Sequence, residues 1–413
     1  MTGMRRSILA CVCAIGVTAA VAATASAAPR AAQENQTGTW RIAATIRPAK
    51  GSRVFLSSVS APGAGDVWAL GGTLTNSNRS FPVLEHWNGS SWQRVTVPGA
   101  GYPFYPYQVA ASSAADVWVF GLAQGVAAPR WAHWNGRSWT GGALPVITVA
   151  GNSSPAVTIT AAASAGPGDV WVAGTVTDWN SKFGLPAQAF LANDDGHGWQ
   201  TYRIPVGMPN LVGISALSRT DIWAAATGGQ GTSGVGVVTT NKAVLMHWNG
   251  ASWQSIPVPR NVNVSAVAGI SAQSAWVTGS LPGKGPDGLN FVAGAAYWNG
   301  ARWTTTTDPA ADARFQQDGT VDQLTSVTSD GQGGLWAVAE PYPPVLGSLP
   351  GQASLWHYSN GRWTGVQLGR LGYINLFQVA EAPGSTSIWA VGTTVTTVSP
   401  GYPQNAIILR YGN

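Results

Sequence analysis

The chain has 413 residues, of which only 9 % are charged against about 25 % for an ordinary soluble domain, while it holds 52 glycines and 21 tryptophans. Such a composition suits many short strands joined by tight turns. The formal charge is +5 and its arginines and lysines are scattered, which excludes a basic stripe for nucleic acid.

The first segment reads as an export signal. Arg5 and Arg6 give the positive start, residues 7–23 the apolar stretch and Ala25-Ser26-Ala27 the small-residue cleavage site, so cleavage is expected after Ala27. A retained membrane anchor is the rival reading, because the apolar run is nearly long enough to span. Its alanine-rich, weakly hydrophobic character favours cleavage, and with it no stable membrane insertion. The arginine pair also suits twin-arginine export. Both cysteines, Cys11 and Cys13, lie in this signal, which leaves the mature chain without disulfide or thiol chemistry. Residues 28–37 read as a linker.

From residue 38 onward two tryptophan series run in step. The first is Trp68, Trp118, Trp171, Trp223, Trp276, Trp336 and Trp389; the second is Trp40, Trp92, Trp139, Trp199, Trp253, Trp303 and Trp363. Their periods are about 53 and about 54 residues, in the range of propeller blades. The first full period parses into strand A at 55–60, B at 67–71, C at 83–87 and D at 92–97, with turn signals at Pro62-Gly63, Asn88-Gly89 and Pro98-Gly99. The same parse repeats along the chain. The expected fold is therefore all-β: one domain, residues 38–413, forming a seven-bladed β-propeller of four-stranded antiparallel blades.

The seventh period holds strands A to C only, while residues 38–42 read as a strand D with no blade before it. The N-terminal strand is therefore expected to complete the last blade, a closure that removes exposed sheet edges. The tryptophans of strands B and D are expected to fill the wedges between blades.

The third blade turns from strand C to D through Asn193-Asp194-Asp195-Gly196-His197-Gly198-Trp199. This resembles the Asp-box of the sialidase-type propellers, whose Asp, Gly and Trp fall on Asp194, Gly196 and Trp199. Other blades keep the Gly and Trp, as in Gly89 and Trp92, but have Trp or Tyr in place of the Asp. The repeat also looks like tectonin-type and other bacterial secreted propeller repeats, a resemblance of repeat class over residues 38–413. It implies that the Asp-box is a folding element with no active site. Tyr202-Arg203-Ile204-Pro205 matches a sialidase tetrapeptide that supplies a substrate-binding arginine, but here it sits in an outer strand and reads as structural.

Four of the five histidines, His86, His133, His247 and His357, share one position in strand C, and His197 lies in the deviant turn. Residues at one outer radius in different blades build neither a catalytic triad nor a metal cluster, so no catalytic residue, metal or cofactor is expected. The B to C loops and the D to A crossovers vary in length and emerge on one face, where function on a rigid scaffold is expected. Tyr102-Pro103-Phe104-Tyr105-Pro106-Tyr107 offers aromatics that either stack on a ligand or cap a gap between blades. The crossover 308–322 carries Asp308, Asp312, Arg314, Asp318 and Asp322; Asp287 and Glu340 fall in neighbouring B to C loops. These carboxylates read as a solvated loop, as a cation site or as acid/base groups.

Arg53, Tyr105, Tyr107, Asn263, Asp318, Asp322, Tyr373 and Asn375 are the candidate binding residues around the central funnel. The reading that follows is a secreted, monomeric, non-catalytic binding propeller that recognises a glycan or an extracellular protein partner with the long-loop face. Its alternatives are a carboxylate-dependent glycosidase or lyase at the funnel, and a structural envelope protein.

Overall fold

The computed structural model describes residues 38–412, apart from 78, 98–103, 124–129, 146–154, 179–185, 205–207, 209, 229, 234–235, 240–241, 261, 283–290, 308–320, 343–353, 367, 369–372 and 396–404. The proposed signal and linker, Asp287, Asp308, Asp312, Arg314 and Asp318 therefore lie outside the described residues. The described residues form seven four-stranded antiparallel sheets, the blades of a propeller, and one small two-stranded hairpin. The innermost strands of blades 1 to 7 are Ser52–Gly63, Phe104–Ser113, Pro155–Gly166, Asn210–Ser218, Asn263–Ser271, Val321–Ser329 and Tyr373–Glu381. Each touches the innermost strand of the next blade, and the seventh touches the first, so the ring is closed.

Strand B of each blade is an apolar run rather than an alternating one, because neighbouring blades cover both of its faces. Val67, Trp68, Ala69 and Leu70 are at most 3 % exposed. The phase lock between the two tryptophan series has a direct cause. A strand D tryptophan packs edge-on against the strand B tryptophan of the preceding blade: Trp92 on Trp389, Trp199 on Trp118, Trp253 on Trp171 and Trp40 on Trp336, at 5.5, 5.8, 5.4 and 5.3 Å between centroids. Edge-to-face geometry at these separations is the favoured aromatic arrangement.

The C to D turns are closed by side chains. The Asn88 carbonyl oxygen accepts from the backbone N–H groups of Ser90 and Ser91, both at 3.0 Å, and Gly89 takes φ 91°, which an L side chain rarely adopts. In blade 3, Asp194 accepts from the N–H groups of Gly196 and Gly198 at 2.9 and 3.3 Å, so this carboxylate closes its own turn.

The N-terminal strand, Arg41–Ile46, pairs antiparallel with Asn405–Tyr411 and completes blade 7, with Arg41 opposite Arg410 and Ile46 opposite Ala406. It starts later and runs further than the expected 38–42, and Trp40 precedes it. Near the axis each interface between consecutive blades carries at least one side-chain hydrogen bond. The Ser58 hydroxyl accepts from the Val109 N–H, Gln108 donates to the Thr160 carbonyl, and Thr160 donates to that of Leu211. Ser215 accepts from Gly269 N–H, Thr278 donates to Leu324, and Ser326 accepts from Val379 N–H. Gln378 closes the circuit by accepting from the Val59 N–H at 2.7 Å.

The sequence parse drew the strands too short. The first innermost strand is Ser52–Gly63 rather than 55–60, and its partner is Asp66–Thr75 rather than 67–71. Tyr105, Tyr107, Asp322 and Glu340, read from the sequence as loop or crossover residues, lie in strands Phe104–Ser113, Val321–Ser329 and Leu335–Tyr342. Polar residues near the axis pair as well as apolar ones, so hydrophobicity alone misses these ends. Between strands B and C of blade 4 stands the hairpin Gln230–Ser233 with Gly236–Thr239.

Candidate functional site at the mouth of the central channel

Every innermost strand carries one irregularity at the same place. The register against strand B slips by one residue at Ser57, Tyr107, Thr160, Val212, Ser265, Thr325 and Phe377, and blades 1 to 5 have a second irregularity at the far end of the strand. A bulge twists the strand and re-aims side chains, a device common beside functional sites. Directly before the bulge stand Leu56, Pro106, Ile159, Leu211, Val264, Leu324 and Leu376, all buried.

Two residues before the bulge the character changes in every blade. Phe55, Tyr105, Thr158, Asn210, Asn263, Gln323 and Asn375 occupy this position; Tyr105 and Thr158 are exposed and the other five are half-buried. On its other side, Val54, Val157, Val262 and Ile374 are again buried. The alternation of buried, accessible and buried residues puts the accessible side chain on the opposite face of the blade from its two neighbours, at the less covered end of the innermost strand. The seven residues form a ring at the mouth, and the seven bulge residues, all half-buried, form a second tier below it. None of these fourteen residues is an acid, lysine, arginine or histidine.

The mouth ring has two halves. In blades 1 and 2 the residues Phe55 and Tyr105 stand opposite Gly72 and Leu122 on strand B. In blades 3 to 7 the opposite pairs are Thr158 with Thr175, Asn210 with Thr227, Asn263 with Ser280, Gln323 with Glu340 and Asn375 with Thr393. Some of these polar groups are held in place: Asn263 donates to the Ser280 hydroxyl at 3.2 Å, and Asn210 accepts from the Thr175 hydroxyl at 3.3 Å. Tyr105 is 40 % exposed, and Tyr107 sits half-buried in the tier below. Burial pushes the Tyr107 hydroxyl pKa up, and the neighbouring Tyr105 adds to the shift.

The strand register brings Tyr105, Asn263 and Asn375 into one ring and puts Tyr107 in the tier beneath. Arg53 and Tyr373 share a position four residues before the bulge, outside the ring. Asp322 takes the register position held elsewhere by Val54 and Ile374. Asp318 lies outside the described residues. Sequence reasoning missed Phe55, Thr158, Asn210 and Gln323. A signal existed: in six blades the ring residue lies thirteen residues before the strand B tryptophan, from Phe55 before Trp68 to Gln323 before Trp336, and in the seventh the offset is one longer.

The histidines lie at the other end of strand B. His86, His133, His247 and His357 hydrogen-bond through Nε2 to Asp66, Asp116, Asp221 and Asp330 at 2.7 to 2.9 Å. Each ring stacks on its blade's tryptophan, with centroids 3.9 Å apart for Trp68 and His86 and 4.2 Å for Trp336 and His357. At the equivalent place, blade 3 uses Asn193 on Asp169, and blade 7 uses Arg410 over Trp389 with a bond to Ser387. Imidazole, amide and guanidinium side chains thus fill one role, fastening strand C to the turn before strand B. Among the described residues no group of three or more His, Cys, Asp or Glu side chains is placed to hold a metal ion.

No family model matches the chain, and no curated protein matches its sequence. Solved structures do match it in fold. YCF48 bound to D1 peptide is 13 % identical, with a TM-score of 0.52 over 91 % of this chain and 95 % of that one. The GH74 xyloglucanase from Xanthomonas campestris is 15 % identical, with a TM-score of 0.50 over 89 % of this chain and 55 % of that one. The β-propeller domain of the Trilobed protease from Pyrococcus furiosus, described as having an open velcro topology, is 8 % identical, with a TM-score of 0.51 over 84 % and 93 %. At these identities the likeness is one of fold.

Proposed function

We propose that this protein is a secreted binding propeller that recognises a glycan or an extracellular protein partner at the mouth of its central channel. The observation that carries this reading is the mouth ring: seven accessible residues at one register position, aromatic in blades 1 and 2 and polar in blades 3 to 7, each directly before a buried apolar residue. A concave site with an apolar wall and a few convergent polar groups is the usual form of a ligand site. The carboxylate-dependent glycosidase or lyase draws no support from the fourteen residues of the two tiers, which include no carboxylate. Export by the signal at 1–27 and a monomeric state belong to the same proposal, as does kinship with secreted propellers of the Asp-box and tectonin type.

A glycan array and a pull-down against extracellular proteins, run with the wild type and with Tyr105, Asn263 and Asn375 together replaced by alanine, test the placement. Loss of binding in the triple variant with an unchanged melting temperature is expected. Undiminished binding by that variant would move the site elsewhere. N-terminal sequencing of protein recovered from the medium, starting at Ala28, tests the export.

A further inference from the structure

Resting on that binding role, we infer that the mouth ring takes an uncharged sugar, its apolar face against Tyr105 and its hydroxyls on the amides of Asn210, Asn263, Gln323 and Asn375. The two kinds of residue stand on different sides of the axis. Blades 1 and 2 are adjacent, and in a closed ring of seven the blade across from that pair is blade 5. The innermost strands carrying Phe55 and Tyr105 therefore lie across the channel from the one carrying Asn263, with Asn210 and Gln323 on the blades either side of Asn263 and Asn375 on blade 7, between Gln323 and Phe55. Around the mouth the ring thus has an aromatic side, with Tyr105 exposed, and an arc of amides across from it.

Each of those amides brings one acceptor oxygen and two N–H donors. A pyranose is built to the same plan, with C–H bonds on one face and, around its edge, hydroxyls that donate and accept. Tyr105, 40 % exposed, supplies a flat apolar surface with a polar tip. Asn210 and Asn263 are already oriented by their bonds to Thr175 and Ser280, which lowers the ordering cost of binding.

Two other ligand types fit less well. A peptide captured by strand addition needs an unbroken strand edge, and each of the seven innermost strands is interrupted by its bulge two residues beyond the mouth ring. An ionic ligand needs charge to replace its hydration, and neither tier has any.

Affinity electrophoresis of the protein through gels holding hydroxyethyl cellulose, galactomannan or dextran, with polygalacturonate as the anionic probe and gelatin as the protein probe, tests this. At least one neutral polysaccharide is expected to retard the protein. Its dissociation constant should change by less than about twofold between low and high salt, because no ion pair is involved. Tyr105→Ala should weaken retardation about tenfold and Asn263→Ala several-fold, while His197→Ala, in an exposed turn, should leave it unchanged. Retardation by polygalacturonate or gelatin alone, lost in Tyr105→Ala, would overturn the neutral sugar and leave the binding role standing. Neutral-sugar binding that persists in the Tyr105→Ala, Asn263→Ala double variant would overturn the placement. Absence of binding to every probe, here and in the array and pull-down, would overturn both. Unchanged melting curves for the variants separate these outcomes from misfolding.

Discussion

His357 bonds through Nε2 to the Asp330 carboxylate at 2.9 Å, although the repeat offers no acid at residue 330. In blades 1, 2 and 4 the partner of the histidine lies two residues before the strand B tryptophan, at Asp66, Asp116 and Asp221. In blade 6 that place is Gly334, and a Cβ there would lie 2.4 Å from Asp330 Oδ2 and 2.2 Å from the Tyr358 carbonyl. The acid arrives instead from the preceding turn, where it also accepts from the N–H groups of Gln332 and Gly334 at 2.8 Å. A contact has been kept while the residue supplying it moved along the chain.

The first prediction concerns that substitution of partners. Asp330→Ala leaves His357 and two backbone N–H groups without their acceptor in a site where both side chains are under 10 % exposed, at a cost of about 1–3 kcal/mol. Adding Gly334→Asp to restore the repeat pattern should not recover stability, because the Tyr358 carbonyl still blocks the new Cβ. Thermal melts of the single and double variants give the answer.

The second concerns pH. Burial pushes the Asp116 carboxyl up, but bonds from His133, Ser112 and the Gly168 N–H, with the charge of His133, outweigh it and hold the pKa below the ordinary value. Asp330 is lowered against its burial in the same way by His357, Gln332 and Gly334. A carboxyl with a depressed folded pKa contributes stability that is present above its unfolded value of about 4 and lost as pH falls through the folded value. Asp116→Asn should therefore flatten the fall of melting temperature on acidification below about pH 4. Glu381 has the opposite sign: burial raises it, the bond from Ser329 partly offsets this, and the charge of Asp330 adds to the rise. Its contribution is present below the unfolded value and lost as pH rises through the folded one, so Glu381→Gln should gain more at pH 7 than at pH 3.

The third concerns the seam. A chain starting at residue 49 lacks Arg41–Ile46 and Trp40, leaving Asn405–Tyr411 as an open edge and Trp336 without its edge-on partner. Loss of the half-buried Trp40 alone costs on the order of 3 kcal/mol, and the exposed edge should add aggregation on heating. An unchanged melting temperature and a clear solution at high temperature would contradict the closure.

The fourth links scaffold to mouth. A Cβ on Gly279 would lie 1.8 Å from the Asn263 carbonyl oxygen, so Gly279→Ala must displace the strand that carries Asn263. The expected cost is about 3 kcal/mol. Ligand affinity should fall with it, which calorimetry and a binding titration measure together.

Much of the fold was legible because the residues that make it obey a period. The tryptophans recur at one pace since each fills the same wedge between blades, and the lone strand near residue 40 matched the blade that lacked one. The candidate site was legible only in part. Tyr105, Asn263 and Asn375 were found as polar or aromatic residues near strand starts, whereas Thr158 and Gln323 resemble any other surface residue until the register is known. The strand ends around Tyr105 and Glu340 were misread because a polar residue paired to a neighbouring strand carries no hydrophobic signal.

By itself, then, the sequence determined the number of blades, their order and the seam, since burial of large apolar side chains repeats in the letters. Only the tertiary structure decided which residues share the mouth. That choice depends on the register of each innermost strand, which slips by one residue at the same place in all seven blades and so brings one accessible residue per blade to a common level. A bulge leaves no mark in composition or hydropathy, because it is a property of two strands paired in space.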